Sequence, residues 1–185
     1  MRKEFVITVA AAAMAAAPVA FAEQAAPVAP APAAADAVAT LQKVCLPVLR
    51  GGAVKPAAQS AGFRLEDGGW VLPIAGKQEI DLSPPDHSNP HVCTLTIAAD
   101  AAEGAAIRNA LGNWAASQSP PLKAVAVDAP VPGAAQGWVT STWSARTPAG
   151  VENVVLTQPQ SPAAPSKTGQ ASPPASTLLV SLAPA

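Results

Sequence analysis

The placement of two cysteines constrains this chain more than any other feature. Cys45 continues an apolar stripe at helical spacing, with Val38 and Leu41 before it and Val48 and Leu49 after it. Cys93 lies on one side of an alternating segment, beside Leu95 and Ile97 and opposite Thr94 and Thr96. Each periodicity turns its cysteine toward a core without reference to the other. A bond between them pins a helix to the inner face of a sheet. In the chain-entropy model, closing a loop of this length stabilises a fold by about 4 kcal/mol. Two free thiols is the alternative. A zinc site is disfavoured, because structural zinc wants four closely spaced ligands.

A disulfide needs an oxidising compartment, and the N-terminus supplies the route to one. Arg2 and Lys3 form a short positive region, Val6 to Ala17 is unbroken and apolar, and Pro18 ends the run. Ala20-Phe21-Ala22 then offers small residues where a signal peptidase cuts, so residues 1–22 read as a cleaved signal peptide, cut between Ala22 and Glu23. The run of about twelve residues is too short for a membrane helix, which needs about twenty. The expected location is periplasmic or secreted, with no membrane span in the mature chain. The formal net charge of −1 becomes −2 once Arg2, Lys3 and Glu4 are removed. Nucleic acid is excluded as the main partner, since no cluster of Lys and Arg is present to neutralise phosphates.

Residues 23–35 are nearly all Ala, Pro, Val and Gln and read as a linker. Residues 36–158 are the expected domain. Residues 159–185 read as a Pro/Ser/Ala-rich tail, mostly disordered. Within that tail, Leu178-Leu179-Val180-Ser181-Leu182 is apolar enough either to add a strand or to remain a sticky end; the composition around it favours disorder.

Inside the domain, a helix is expected from Asp36 to Leu46, weakened by Pro47 and ended by Gly51-Gly52. A short one follows at 56–61. Asp67-Gly68-Gly69 joins two short strands as a hairpin. Residues 78–82 and 91–98 alternate as strands. Asp100 and Glu103 form a capping box for a long helix carrying Ile107, Ala110, Leu111 and Trp114, stopped by Pro120-Pro121. Strands at 123–128, 136–145 and 151–157 complete the order α-α-β-β-β-β-α-β-β-β. Short connections imply an antiparallel sheet with helices packed on one face, an α+β single domain with one disulfide.

The densest polar stretch is Ser83-Pro84-Pro85-Asp86-His87-Ser88-Asn89-Pro90-His91. Asp86, His87 and His91 are candidate metal ligands, since imidazole and carboxylate suit zinc or copper. Their spacing matches no established site. The competing reading is a proline-rich turn with Asp86 capping backbone amides. Ser83 and Ser88 add hydrolase residue types without a nucleophile elbow. Glu66, Glu79 and Asp81 fall on outward strand faces and read as solvated. Trp70 and Trp114 are expected in the core. Trp138 and Trp143 are five apart in one strand, so they point to opposite faces, and one of them is a candidate binding anchor.

Val44-Cys45-Leu46-Pro47, Gly69-Trp70-Val71-Leu72-Pro73, Leu82-Ser83-Pro84-Pro85 and Asn89-Pro90-His91-Val92-Cys93 resemble stretches of small exported proteins of alphaproteobacteria. Thr140-Ser141-Thr142-Trp143 and Val154-Val155-Leu156-Thr157 fit the same likeness, which spans about 40–158. The resemblance implies export, the cysteine pair and a single domain. That group has no assigned activity, so no catalytic residue is carried over.

The functional expectation is a non-enzymatic, disulfide-stapled periplasmic protein without cofactor, binding an envelope protein or cell-wall component. The alternatives are a metal-binding protein using the Asp86-His87-His91 loop and an inhibitor of an envelope enzyme.

Overall fold

The computed structural model describes residues 32–74, 78–134, 137–160 and 175–183 of the 185-residue chain. The expected signal peptide at 1–22, most of the expected 23–35 linker and residues 161–174 of the expected tail lie outside the described residues.

The first helical stretch begins at Pro32, inside the expected linker, and is built of α1 (Pro32–Thr40), a π-helical turn (Leu41–Cys45) and α2 (Leu46–Leu49). The earlier start has a packing reason. Ala33, Ala34 and Ala37 are buried, so the small residues that suggested a linker let this helix lie close to its neighbours. Pro47 does not end the helix. The turn before it widens, with the Leu46 N–H donating to the Leu41 carbonyl, and a π-turn is a known way of relaxing the backbone ladder. Gly51, at φ 93°, makes the exit. The second helix, α3 (Val54–Ser60), leaves through Gly62 at φ 92°.

Eight strands form one antiparallel sheet: β1 (Arg64–Glu66), β2 (Gly69–Pro73), β3 (Glu79–Ser83), β4 (Val92–Ala98), β5 (Lys123–Pro130), β6 (Trp138–Thr147), β7 (Gly150–Pro159) and β8 (Ala175–Ala183). Their spatial order is β1-β2-β3-β4-β8-β7-β6-β5. The sheet is thus two meanders joined along β4 and β8. The expected hairpin at 67–69 is real: Glu66 pairs with Gly69, and Asp67 and Gly68 take φ 48° and 85°, as a tight type I′ turn needs. Helix α4 (Ala101–Ser117) carries the chain from β4, mid-sheet, to β5 at the far edge. The Asp100–Glu103 capping box is formed as expected.

The tail assignment is corrected by β8. Residues 175–183 are not disordered but form a central strand, pairing Cys93 with Val180 and Leu95 with Leu178 on one side, and Val154 with Val180 and Leu156 with Leu178 on the other. Ser176, Leu178, Val180 and Leu182 point inward and are buried. Without this strand both β4 and β7 would expose unpaired backbone along a buried face, which is costly.

Antiparallel partners share a face, so the register sorts every side chain. The inner face carries Ile80, Leu82, Leu95, Ile97, Leu178, Val180, Val154, Leu156 and Trp143. Helices cover it through Leu41, Val44, Ile107, Leu111 and Trp114, forming one core. Cys45 and Cys93 are bonded across this layer, with Cα atoms 5.6 Å apart. Buried polar groups mark where helices approach closest. Gly104 lets α4 come close to this layer: a Cβ there would lie 2.9 Å from Gln158 Oε1 and 3.4 Å from Ser176 Oγ, so one of these side chains would have to shift. Glu152, buried on the inner face, is met by Arg50 at 3.0 Å from the end of α2.

The outer face is built of small and β-branched residues. One row runs Thr96-Thr177-Thr157-Thr140 across four adjacent strands, and the next runs Thr94-Leu179-Val155-Thr142.

Candidate functional site

The Asp86-His87-His91 loop is formed as a turn. Asp86 Oδ1 accepts the backbone N–H groups of Ser88 and Asn89, both at 2.7 Å, which satisfies the loop locally. His87 and His91 are exposed, and the His91 carbonyl accepts the Leu182 N–H at 3.1 Å. The three side chains are not gathered as ligands: among the described residues no group of three His, Cys, Asp or Glu stands close enough to hold a metal ion. Ser83 and Ser88 are exposed on the same loop, and Ser88 enters its bonding only through the backbone. Glu66, Glu79 and Asp81 are exposed, as outward strand positions should be.

The two tryptophans of β6 do face opposite ways. Trp143 is on the inner face, 5% exposed, and Trp138 is half-buried on the outer face, paired with Pro159. Trp114 is core. Trp70 is half-buried against the core edge, opposite Leu82.

Trp143 leads to a site that sequence reasoning missed. Beside it, α4 crosses the sheet near its β5 edge and leaves a cleft of about 450 Å³ lined by Arg108, Asn109, Gly112, Asn113, Val127 and Trp143. Spacings of one, four and five residues put the four α4 positions along one helix face. Gly112 shapes the floor: a Cβ there would sit 3.8 Å from Trp143 Cζ2 and Nε1, so its absence leaves the cleft reaching down toward the indole edge. Val127 forms the opposite wall and is 58% exposed.

One end of the cleft is fixed by Asp128. The pairing of β5 to β6 slips between Ala124 and Ala126 and again between Ala126 and Ala129. The second slip places Asp128 at φ 50°, an unusual conformation that the surroundings must hold. They do so from two sides. Ser141, buried beneath, accepts the Asp128 N–H at 3.1 Å, and Arg108 Nη1 donates to Asp128 Oδ2. Arg108 also approaches Asn109 Oδ1 at 3.3 and 3.4 Å. The guanidinium charge is therefore matched by Asp128, both groups being partly open to water. The remaining functions in the cleft are the Asn113 amide, able to donate and accept, the Asn109 NH2 group, whose carbonyl is turned to Arg108, and an indole edge.

The sequence held a signal for this site. Gly112 stands mid-helix where no turn needs it, at a cost of about 0.5–1 kcal/mol relative to Ala, between Asn109 and Asn113. That Val127 and Trp143 face these residues depends on strand order and on the β5 bulges, which periodicity does not reveal. No protein-family model matches the chain, and no curated protein or solved structure matches it either.

Proposed function

We propose that this is an exported, non-catalytic binding module of the cell envelope and that it takes its ligand in the cleft between α4, β5 and β6. The disulfide joining helix to sheet, and the absence among the described residues of any helix long and apolar enough to cross a membrane, fit an exported protein. The observation that carries the binding reading is the cluster itself. Arg108, Asn109 and Asn113 converge beside the Trp143 edge in a cleft whose volume falls in the range of small-ligand sites.

The chemistry favours a neutral, hydroxyl-bearing ligand such as the sugar units of an envelope glycan. An anion would have to compete with Asp128 for Arg108. Vicinal hydroxyls instead match amides, which both donate and accept, and the apolar side of a sugar ring suits Val127 and the indole. The test is a titration of the purified protein with chitotriose and with maltotriose, read by tryptophan fluorescence and by amide chemical shifts. Saturable shifts at Asn109, Asn113 and Trp143, lost in Asn113→Ala, are expected. Silence at millimolar sugar from a folded protein would overturn the reading. Export is tested separately by intact mass: a chain beginning at Glu23 and two hydrogens lighter than its reduced form is expected from the envelope fraction.

A further inference from the structure

We infer that the outer face of the sheet is a homodimer surface on which a second copy of this chain docks. Apart from the Thr140 and Pro159 corner, the outward side chains of this face are open to solvent in part, and its composition is not that of an ordinary solvated sheet. On β4, β8 and β7 no outward position carries a charge. On β6 the only outward charge is Arg146, near the strand end. Leu179 and Val155 pair at the centre, with Thr94 and Thr142 beside them and the row of four threonines next to them. An apolar centre inside a polar, uncharged rim is the anatomy of a protein interface.

Two features select a second copy as the occupant. The first is charge. The neutral panel is bounded by exposed Glu79 and Asp81 on β3 at one side and by exposed Lys123 on β5 and Arg146 at the other. The register sets Asp81 in the row of Thr96 and Thr140 and Lys123 in the row of Val92 and Ser144, so the two charged groups stand at diagonal corners of the panel. A two-fold axis lying in the face along the other diagonal exchanges these corners, so the acidic corner of one copy meets the basic corner of the other, twice. The hydroxyls of Thr94, Thr96, Thr157 and Thr177 extend the match, because each can donate to and accept from its own kind. The second is area. Six strands spaced about 4.8 Å apart, carrying on average about four outward residues about 6.8 Å apart, span roughly 700 Å². That is close to the roughly 800 Å² which each partner contributes to a stable interface. The half-buried Trp138 lies on this same face, at its corner, and aromatic residues of this kind are enriched in interfaces.

Sedimentation equilibrium of the purified protein tests this independently of the cleft. At about 100 µM, where a micromolar dimer is almost fully formed, a particle of twice the chain mass is expected. Leu179→Glu, at the panel centre, should give a monomer with an unchanged circular dichroism spectrum; Leu65→Glu, on the exposed β1 edge, should stay dimeric. If Leu179→Glu fails to fold, the flanks decide. Glu79→Lys with Asp81→Lys should weaken the dimer at least tenfold, and adding Lys123→Glu with Arg146→Glu should restore it. A wild-type monomer at that concentration, a dimer that survives Leu179→Glu, or a dimer indifferent to the flank reversal would overturn the inference and leave the face to a different partner.

Discussion

Removing β8 should unfold the protein, although β8 lies in what composition describes as a tail. Its inward side chains Leu178, Val180 and Leu182 are 0%, 0% and 8% exposed. Burying a Leu or Val side chain contributes about 1.5–3 kcal/mol, so the three together contribute about 5–9 kcal/mol. A domain of this size has a total stability of about 5–15 kcal/mol. The loss falls in the middle of the sheet, where β4 and β7 lose their shared partner and the two meanders separate. A chain ending at residue 174 is therefore expected to show no cooperative thermal transition by circular dichroism. The finer perturbation is Leu178→Ala, which should keep the fold while costing about 3 kcal/mol and lowering the Tm by about 10 °C. A truncated chain melting cooperatively within about 5 °C of the intact protein would refute the reasoning, because it would mean that β4 and β7 are stable without the strand between them.

Reducing the Cys45–Cys93 bond should lower stability by about 2–4 kcal/mol, read as a drop in melting temperature with reductant that Cys45→Ser/Cys93→Ser reproduces without it. Arg50→Ala should cost about 1–3 kcal/mol in denaturant melts, because it leaves the Glu152 carboxylate buried without its partner; adding Glu152→Gln should recover part of the loss. Gly112→Ala should raise stability by about 0.5–1 kcal/mol, since the new methyl meets Trp143 only at ordinary contact distance, yet it should weaken the sugar titration by narrowing the cleft floor. Zinc uptake measured by elemental analysis should be the same in His87→Ala/His91→Ala as in the parent, whereas Asp86→Ala should destabilise by about 0.5–1 kcal/mol through the two amides it leaves uncapped.

Local features were legible because local sequence determines them. The Asp100–Glu103 box, the Asp67-Gly68 turn and the Gly62 cap each depend on residues within one turn of one another. The inward direction of Cys45 and Cys93 follows from periods of 3.6 and 2, which survive any arrangement of neighbours. The opposite facing of Trp138 and Trp143 follows from the same parity, although parity alone does not say which one is buried.

Tertiary structure decided what depends on a partner distant in the chain. An alternating segment such as 175–183 has the same propensity whether it ends as a tail or as a central strand; only the two edges waiting on β4 and β7 select between them. The alanines at 33–37 look like a linker until α4 packs against α1 closely enough to need them small. Pro47 reads in the sequence as a weak point in the helix, and the π-turn that precedes it, which lets the chain run on to the Gly51 exit, is seen only in the folded backbone. The cleft depends on both kinds of information: the amides and Gly112 are written on α4, whereas the Trp143 floor, the Val127 wall and the Asp128 clamp are supplied by strands whose order only the folded sheet establishes.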